Sequence, residues 1–351
     1  MRHMPGYQRL VAITVLILLY GPMPGSGQDT TFTDRIPDLS SPWPTWIEGK
    51  DGSVLMAYGQ STGLGGDGRI RIAESTDGGR TWAVITYLKY NTDYAYMSRL
   101  RDGRLIMVVY NTHFEGQDTD NIYRDVGWVA STDEGRTWSE LNRITIDSPL
   151  LNAYGPIIEM PDGRWAYSPY TGEVGHPLKG PVLQIDPILV WSEDQGKTWS
   201  KPIEFSAGAD GNRGLSEVTI AQLGPTEYVA AIRSDESPGG WDGFYLSRST
   251  DGSNWSVPKS LADIGRMPLI YRIEPLWVLT YRQYVPADNT QYSAYRVSED
   301  GITWSAPQRI ERGVNNAPFL VRVGNELVAF NHGFPDRARI TRYVVELPAT
   351  K

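Results

Sequence analysis

The stretch STDGGRTW, residues 75–82, decides the fold, because the chain writes it five times. The other copies are STDEGRTW (131–138), SEDQGKTW (192–199), STDGSNW (249–255) and SEDGITW (298–304). Their aspartates, Asp77, Asp133, Asp194, Asp251 and Asp300, lie 56, 61, 57 and 49 residues apart. Ser and Asp side chains in this pattern accept backbone N–H bonds and tie a tight turn. Glycine supplies the positive φ, and the tryptophan packs back between neighbouring sheets. A pattern repeated on five units is structural, since a catalytic site needs different residues at different places.

Working outward, each turn is preceded by a hairpin of alternating apolar residues. Six such hairpins occupy 46–59, 97–110, 157–170, 218–233, 269–282 and 319–330, the first three with Asp-Gly at the bend. A third strand leads into each aspartate turn and a fourth follows the Trp. Four strands per unit at a regular period predict an all-β fold, a six-bladed β-propeller of four-stranded antiparallel blades. The sixth unit lacks an aspartate turn and a fourth strand, and the stretch from Thr30 to Leu39 is expected to supply that strand. Closure of this kind removes exposed sheet edges. No linker divides the body, so residues 28–351 are expected to form one domain.

The 351 residues are 40% hydrophobic and 21% charged, enough for a core and too apolar for a disordered chain. The 33 basic against 41 acidic residues give a net charge of −8, which argues against wrapping nucleic acid. With no cysteine, disulfides, thiolate metal sites and cysteine nucleophiles are excluded. Arg2, His3 and Arg9 precede the apolar run LVAITVLILLY (10–20), and Gly25, Ser26 and Gly27 follow it. That order is the form of a secretory signal, and residues 1–27 are expected to be removed near Gln28. A buried strand or helix and an uncleaved membrane anchor are the alternatives. The expected location is secreted or periplasmic in a bacterium.

The five turns resemble the Asp-box, or BNR, repeats of the sialidase (neuraminidase) superfamily, over essentially the whole body. The resemblance implies the propeller and a site at one end of its axis, and its members include sialidases, exo-arabinanases and proteins without catalysis. Glu217 heads an inner strand and Arg233 lies sixteen residues on, at the end of the next strand. By the resemblance, Glu217 matches the glutamate that activates a tyrosine nucleophile, and Arg233 matches a carboxylate-binding arginine. A salt bridge that merely pins two strands is the alternative. Asp67, in the Gly-rich loop 60–68, matches the acid/base position or is a turn residue. Arg35, in Arg35-Ile36-Pro37, is a displaced candidate for the first arginine of the triad.

The chain departs from sialidases elsewhere. Asn315 and Asn316 stand where the tyrosine is expected, and 285–294 contains no arginine for the third triad position. Arg266 and Arg282 are the substitutes within reach. Retaining exo-arabinanases of this fold use two glutamates instead, and Glu173 with Glu217 is the pair that matches. Substrate contacts are expected from His176, Tyr170 and Trp241, beside the aromatic residues Tyr94, Tyr96, Tyr154, Phe244 and Tyr281 near the same strand ends. A cluster of arginines around Glu217 favours an anionic sugar. His113, His176 and His332 follow second strands, so convergence on a metal stays open, but no metal, phosphate-loop or cofactor motif is present and no cofactor is expected.

These readings lead to a secreted exo-acting glycoside hydrolase working on the end of an oligosaccharide or polysaccharide, with catalytic candidates Glu217, Asp67 and Glu173. A glycan-binding module and a uronate lyase are the alternatives. No obligate protein partner and no nucleic-acid partner is expected.

Overall fold

The computed structural model describes residues 31–32, 43–60, 68–90, 95–114, 122–147, 154–173, 184–205, 215–234, 243–314, 316–332 and 340–347. The expected leader, 1–27, lies outside the described residues. No helix among the described residues is long and apolar enough to cross a membrane.

Strand β1 (Thr31–Phe32) comes first in the chain. Strands β2 (Thr45–Glu48), β3 (Val54–Gln60), β4 (Arg69–Ser75) and β5 (Ala83–Leu88) form an antiparallel sheet in sequence order. So do β6 (Met97–Arg99), β7 (Leu105–Phe114), β8 (Ile122–Ser131) and β9 (Asn142–Arg143). The third sheet has five strands, β10 (Ile158–Glu159), β11 (Trp165–Tyr167), β12 (Tyr170–Glu173), β13 (Gln184–Ser192) and β14 (Ile203–Glu204), with β13 pairing β11, β12 and β14. The fourth has seven: β15 (Leu215–Gln222), β16 (Tyr228–Ser234), β17 (Gly243–Ser249), β18 (Lys259–Ile273), β19 (Leu276–Val285), β20 (Thr290–Ser298) and β21 (Gln308–Arg312). The last sheet joins β22 (Phe319–Val323), β23 (Glu326–His332) and β24 (Ile340–Val344) to β1, in the order β1-β24-β23-β22.

The six-bladed propeller of uniform four-stranded blades is therefore not what forms. The all-β reading stands, but the described residues make five sheets of four, four, five, seven and four strands, and among them none closes on itself. The cause is local. Strand β18 runs unbroken for 15 residues, pairing with β17 through its first part and with β19 through the rest. The sequence places a boundary between two units there, whereas the backbone keeps one ladder. In the third sheet Ser168 and Pro169 split the second strand into β11 and β12, because proline has no N–H for the ladder. The expected N-terminal contribution to the last sheet does form, with Thr31 opposite Arg342 and Phe32 opposite Thr341.

Cores lie between sheets. Leu55, Ala57, Ile70 and Ile72 of the first sheet share a cluster with Met97, Leu105, Met107 and Val109 of the second. Trp46, Met56 and Tyr58 share another with Val321, Val328 and Phe330, so the first and last sheets also pack together. The seven-stranded sheet folds over on itself, putting Ala221, Val229 and Phe244 against Ile270, Leu279 and Tyr281. Each buried side chain of this size contributes about 1.5–3 kcal/mol of apolar burial.

The aspartate turns work as the motif suggests. Asp133 Oδ1 accepts from the Ser131 hydroxyl at 2.8 Å and the Thr137 N–H at 2.9 Å, and Oδ2 accepts from the Thr137 hydroxyl at 2.6 Å. The Thr137 hydroxyl, followed by its N–H, holds the Asp133 carboxyl down at about 2. Asp194 is held at about 2 by the same two groups of Thr198. The turn glycines seat on a neighbouring unit. At Gly79, φ is +87° and an added Cβ would lie 2.3 Å from the Phe330 ring of the last sheet. At Gly252 the contact would be 2.8 Å from Trp191, whose indole N–H donates to the Gly252 carbonyl.

Hydroxyl groups link the first strands of successive hairpins. Thr45 donates to the Ala95 carbonyl and Ser98 to the Ile157 carbonyl, each at 2.6 Å, while the Tyr271 hydroxyl accepts from the Leu320 N–H at 3.0 Å. These bonds satisfy backbone groups on edges that the sheets themselves leave unpaired.

Candidate active site

Glu217 sits where strand β15 is irregular. The β15–β16 register shifts between Leu215 and Val218, a bulge that re-aims the side chain opposite Arg233. The carboxylate is buried, with 3% of the residue exposed. Its Oε1 accepts from Arg233 Nη1 at 2.8 Å, and its Oε2 accepts from the backbone N–H of Met267 at 2.7 Å. The expected Glu217–Arg233 pair is thus formed, and a second anchor joins it that no motif announces.

That second anchor is itself a bulge. The β18–β19 register shifts between Arg266 and Leu269, and Met267 takes φ +58°, a left-handed conformation that costs a non-glycine residue about 1 kcal/mol or more. The Pro268 carbonyl accepts from the hydroxyls of Tyr154 and Thr219, both at 3.2 Å. Thr219 Oγ1 also accepts from the Ile270 N–H at 3.1 Å. Sequence reasoning missed Met267, Thr219 and Tyr154 in these roles. A polar Thr two residues beyond Glu217, on the strand LSEVTIAQ, carries no motif that would single it out.

Arg266 and Arg282 are direct cross-strand partners on β18 and β19, and Arg266 adjoins Met267. Arg282 is buried and Arg266 partly so. The candidates Arg233, Arg266 and Arg282 therefore share one end of the molecule with Glu217. A carboxylate offers about four acceptor directions, and two are occupied here, leaving others for a hydroxyl or a water.

The remaining candidates divide. Asp67, Arg35, His176, Trp241 and Asn315 lie outside the described residues. Glu173 ends strand β12, Tyr170 begins it, and His113 lies on β7, but their side chains are outside the description. His332 is fully buried at the end of β23 and donates its N–H to Asn316 Oδ1 at 3.2 Å. Asn316, where the resemblance implies a tyrosine, is thus buried and holds the last hairpin. Among the described residues no group of three His, Asp or Glu could hold a metal ion.

The expected aromatic wall is largely core. Tyr96, Tyr154, Phe244 and Tyr281 are buried, and Phe244 meets Tyr281 edge to face at 4.7 Å. The Tyr281 hydroxyl donates to Asp263 Oδ2 at 2.8 Å, the oxygen that also accepts from Arg296 Nε at 2.6 Å. Burial first, and Asp263 second, push the Tyr281 phenol well above its ordinary range.

A cavity of about 670 Å³, lined among others by Trp46, Tyr96, Thr219, Leu269, Trp277 and Phe319, contains neither Glu217 nor Arg233. It runs toward the hairpin-bend ends of the first strands, where Glu48, Arg99, Glu159 and Arg322 line it. Tyr96 and Leu269, which line it, pack in one cluster with Tyr154, Met267 and Ala317, and the Met267 N–H meets Glu217. Volume and chemistry point to different places. The polar geometry locates the site better, because the cavity walls are chiefly aliphatic and aromatic.

Residues 95–264 match the family model of the BNR repeat-like domain. No curated protein matches the sequence. Among solved structures, a protein of unknown function from Dyadobacter fermentans is similar at 17% identity and a TM-score of 0.66, over 92% of this chain and 97% of that one. The α-L-arabinofuranosidase Arb93A of Fusarium graminearum, in complex with an iminosugar inhibitor, is similar at 16% and 0.59, over 92% and 99%. A Trypanosoma rangeli sialidase mutant displaying trans-sialidase activity is similar at 13% and 0.58, over 86% of this chain and 53% of that one. The chain is thus similar to a BNR repeat-like domain over 95–264 and similar in fold to these structures over most of its length. At these identities the likeness is one of fold.

Proposed function

We propose that the protein is an exported exo-acting glycoside hydrolase that removes a terminal sugar from an oligosaccharide or polysaccharide. The observation that carries this reading is Glu217, a buried carboxylate fixed in its plane by Arg233 on one oxygen and the Met267 N–H on the other. A buried charge is costly unless it is bonded, and a strand clamp alone has no need of two bulges and a left-handed Met267 to hold it. Strain of that kind is concentrated at working sites. Arg233, Arg266 and Arg282 favour an acidic sugar.

Among the described residues Glu217 meets no tyrosine hydroxyl, and Asn316 accepts from the His332 backbone N–H. This favours the two-carboxylate chemistry of arabinofuranosidases over sialidase chemistry, with Glu173 or Asp67 as the second carboxylate. The spacing of the pair would set retention at about 5–5.5 Å or inversion at about 6.5–9.5 Å.

The test is Glu217→Gln assayed on 4-nitrophenyl α-L-arabinofuranoside, arabinobiose, aryl uronides and an aryl sialoside. Turnover on whichever is cleaved should fall at least about 10²-fold while the melting temperature holds, as for a positioned acid–base group. Turnover within a few fold of the parent, with a lowered melting temperature, would make the pair a strand clamp. Saturable glycan binding without any cleavage would favour the binding module. N-terminal sequencing of the exported protein checks removal of residues 1–27.

A further inference from the structure

We infer that Thr219 is a positioning residue for Glu217, holding the β18 bulge whose Met267 N–H fixes one oxygen of the carboxylate. This rests on the reading of Glu217 as part of the working site. Thr219 lies two residues after Glu217 on β15, and both side chains reach β18, Glu217 at the Met267 N–H and Thr219 at Pro268 and Ile270. Its hydroxyl does two things at once. It donates to the Pro268 carbonyl and accepts from the Ile270 N–H, at 3.2 and 3.1 Å. Only a hydroxyl can serve as donor and acceptor at a single atom in this space.

The consequence is a three-point hold on the stretch 267–270. Glu217 takes the Met267 N–H, Tyr154 and Thr219 share the Pro268 carbonyl, and Thr219 takes the Ile270 N–H. Glu217, Thr219, Tyr154, Met267 and Ile270 are each at most 4% exposed. A polar group left unpaired at such burial is costly. Met267 at φ +58° does not favour its own conformation, so the neighbouring bonds must hold it there. Without the Thr219 hydroxyl the stretch 267–270 relaxes toward regular strand geometry. The Met267 N–H then swings off Glu217 Oε2, and the carboxylate keeps only Arg233 and can rotate.

The variant is Thr219→Val, which keeps shape and removes the hydroxyl, with Thr219→Ser as the conservative control. Both are compared with Glu217→Gln in the full-length protein. We expect kcat to fall at least tenfold with KM within threefold of the parent. Hydrogen-exchange protection of the Met267 and Ile270 amides should fall at least tenfold, and Thr219→Ser should restore all three quantities. Should Thr219→Val fail to fold, Tyr154→Phe removes the other donor to the Pro268 carbonyl and is read in the same way. An unchanged kcat in Thr219→Val, where Glu217→Gln abolishes turnover, overturns the inference but leaves the proposed function standing. If no glycoside is cleaved by the parent, the proposed function falls, and amide exchange alone decides. Undiminished protection of Met267 in Thr219→Val then overturns the positioning role.

Discussion

The aspartate turns and the Glu217 end are built on opposite principles. At the turns, the same Ser–Asp–Thr bonding recurs at Asp77, Asp133 and Asp194, and with local variation at Asp251 and Asp300. Nearly every bond there joins residues within four positions, so the chain closes each turn from local sequence. At the Glu217 end the carboxylate's own bonds to Arg233 and Met267 have no counterpart on the other described units, whereas the Thr219–Pro268 bond belongs with the hydroxyl links at Thr45–Ala95 and Ser98–Ile157. The bonds at this end join residues 16, 50, 49 and 114 positions apart, through bulges on two strands. Local, repeated chemistry closes the turns, while long-range bonds from Arg233 and Met267 set a single carboxylate. The difference teaches that repetition marks what the fold needs, and that a site is found by asking what fails to repeat.

That contrast can be broken by measuring stability and turnover on the same variants. The largest loss of stability is expected for Arg296→Met, which leaves Asp263 buried without its cation. Both side chains are about one-tenth exposed, and breaking such a pair costs about 3–5 kcal/mol. Urea denaturation showing less than about 1 kcal/mol would mean that the Tyr281 bond alone suffices. This test sharpens the comparison, since not every unrepeated polar group belongs to the site.

Gly79→Ala comes next. It places a Cβ on the Phe330 ring in a left-handed backbone, costing about 3 kcal/mol from strain and overpacking together. Turnover per folded molecule should stay within twofold. A stable variant with reduced turnover would erase the separation between the two regions.

The acid limb of stability is a smaller effect and belongs to the turns. Asp133 and Asp194 titrate at about 2 in the folded protein, below the ordinary aspartate value of about 3.9. Their contribution is therefore whole above about pH 4 and is lost as pH falls through 2. The urea midpoint should drop over that interval, and the double variant Asp133→Asn/Asp194→Asn should show a flatter profile. An unchanged slope in the double variant would place the acid sensitivity elsewhere. The smallest effect is expected for Glu74→Ala, which breaks the exposed Arg136–Glu74 pair at 2.9 Å. Such pairs contribute under about 1 kcal/mol, and thermal melts should barely separate the variant from the parent.

The sequence by itself determined the strands, the five turns and the pairing of the N-terminal residues with the last strand. These follow from local alternation, Asp-Gly bends and short-range side-chain bonds, all written within a few tens of residues. It also singled out Glu217 and Arg233, because a charged residue on an apolar strand stands out against a repeating background. Only the tertiary structure decided how strands are shared among sheets. The unbroken run of β18 depends on which partners lie on each edge, and periodicity carries no trace of that. Only the tertiary structure brought Met267, Thr219 and Tyr154 to the carboxylate. A backbone N–H has no residue signature, and its direction here is set by a left-handed residue and two register shifts, which are properties of packed strands rather than of any one segment.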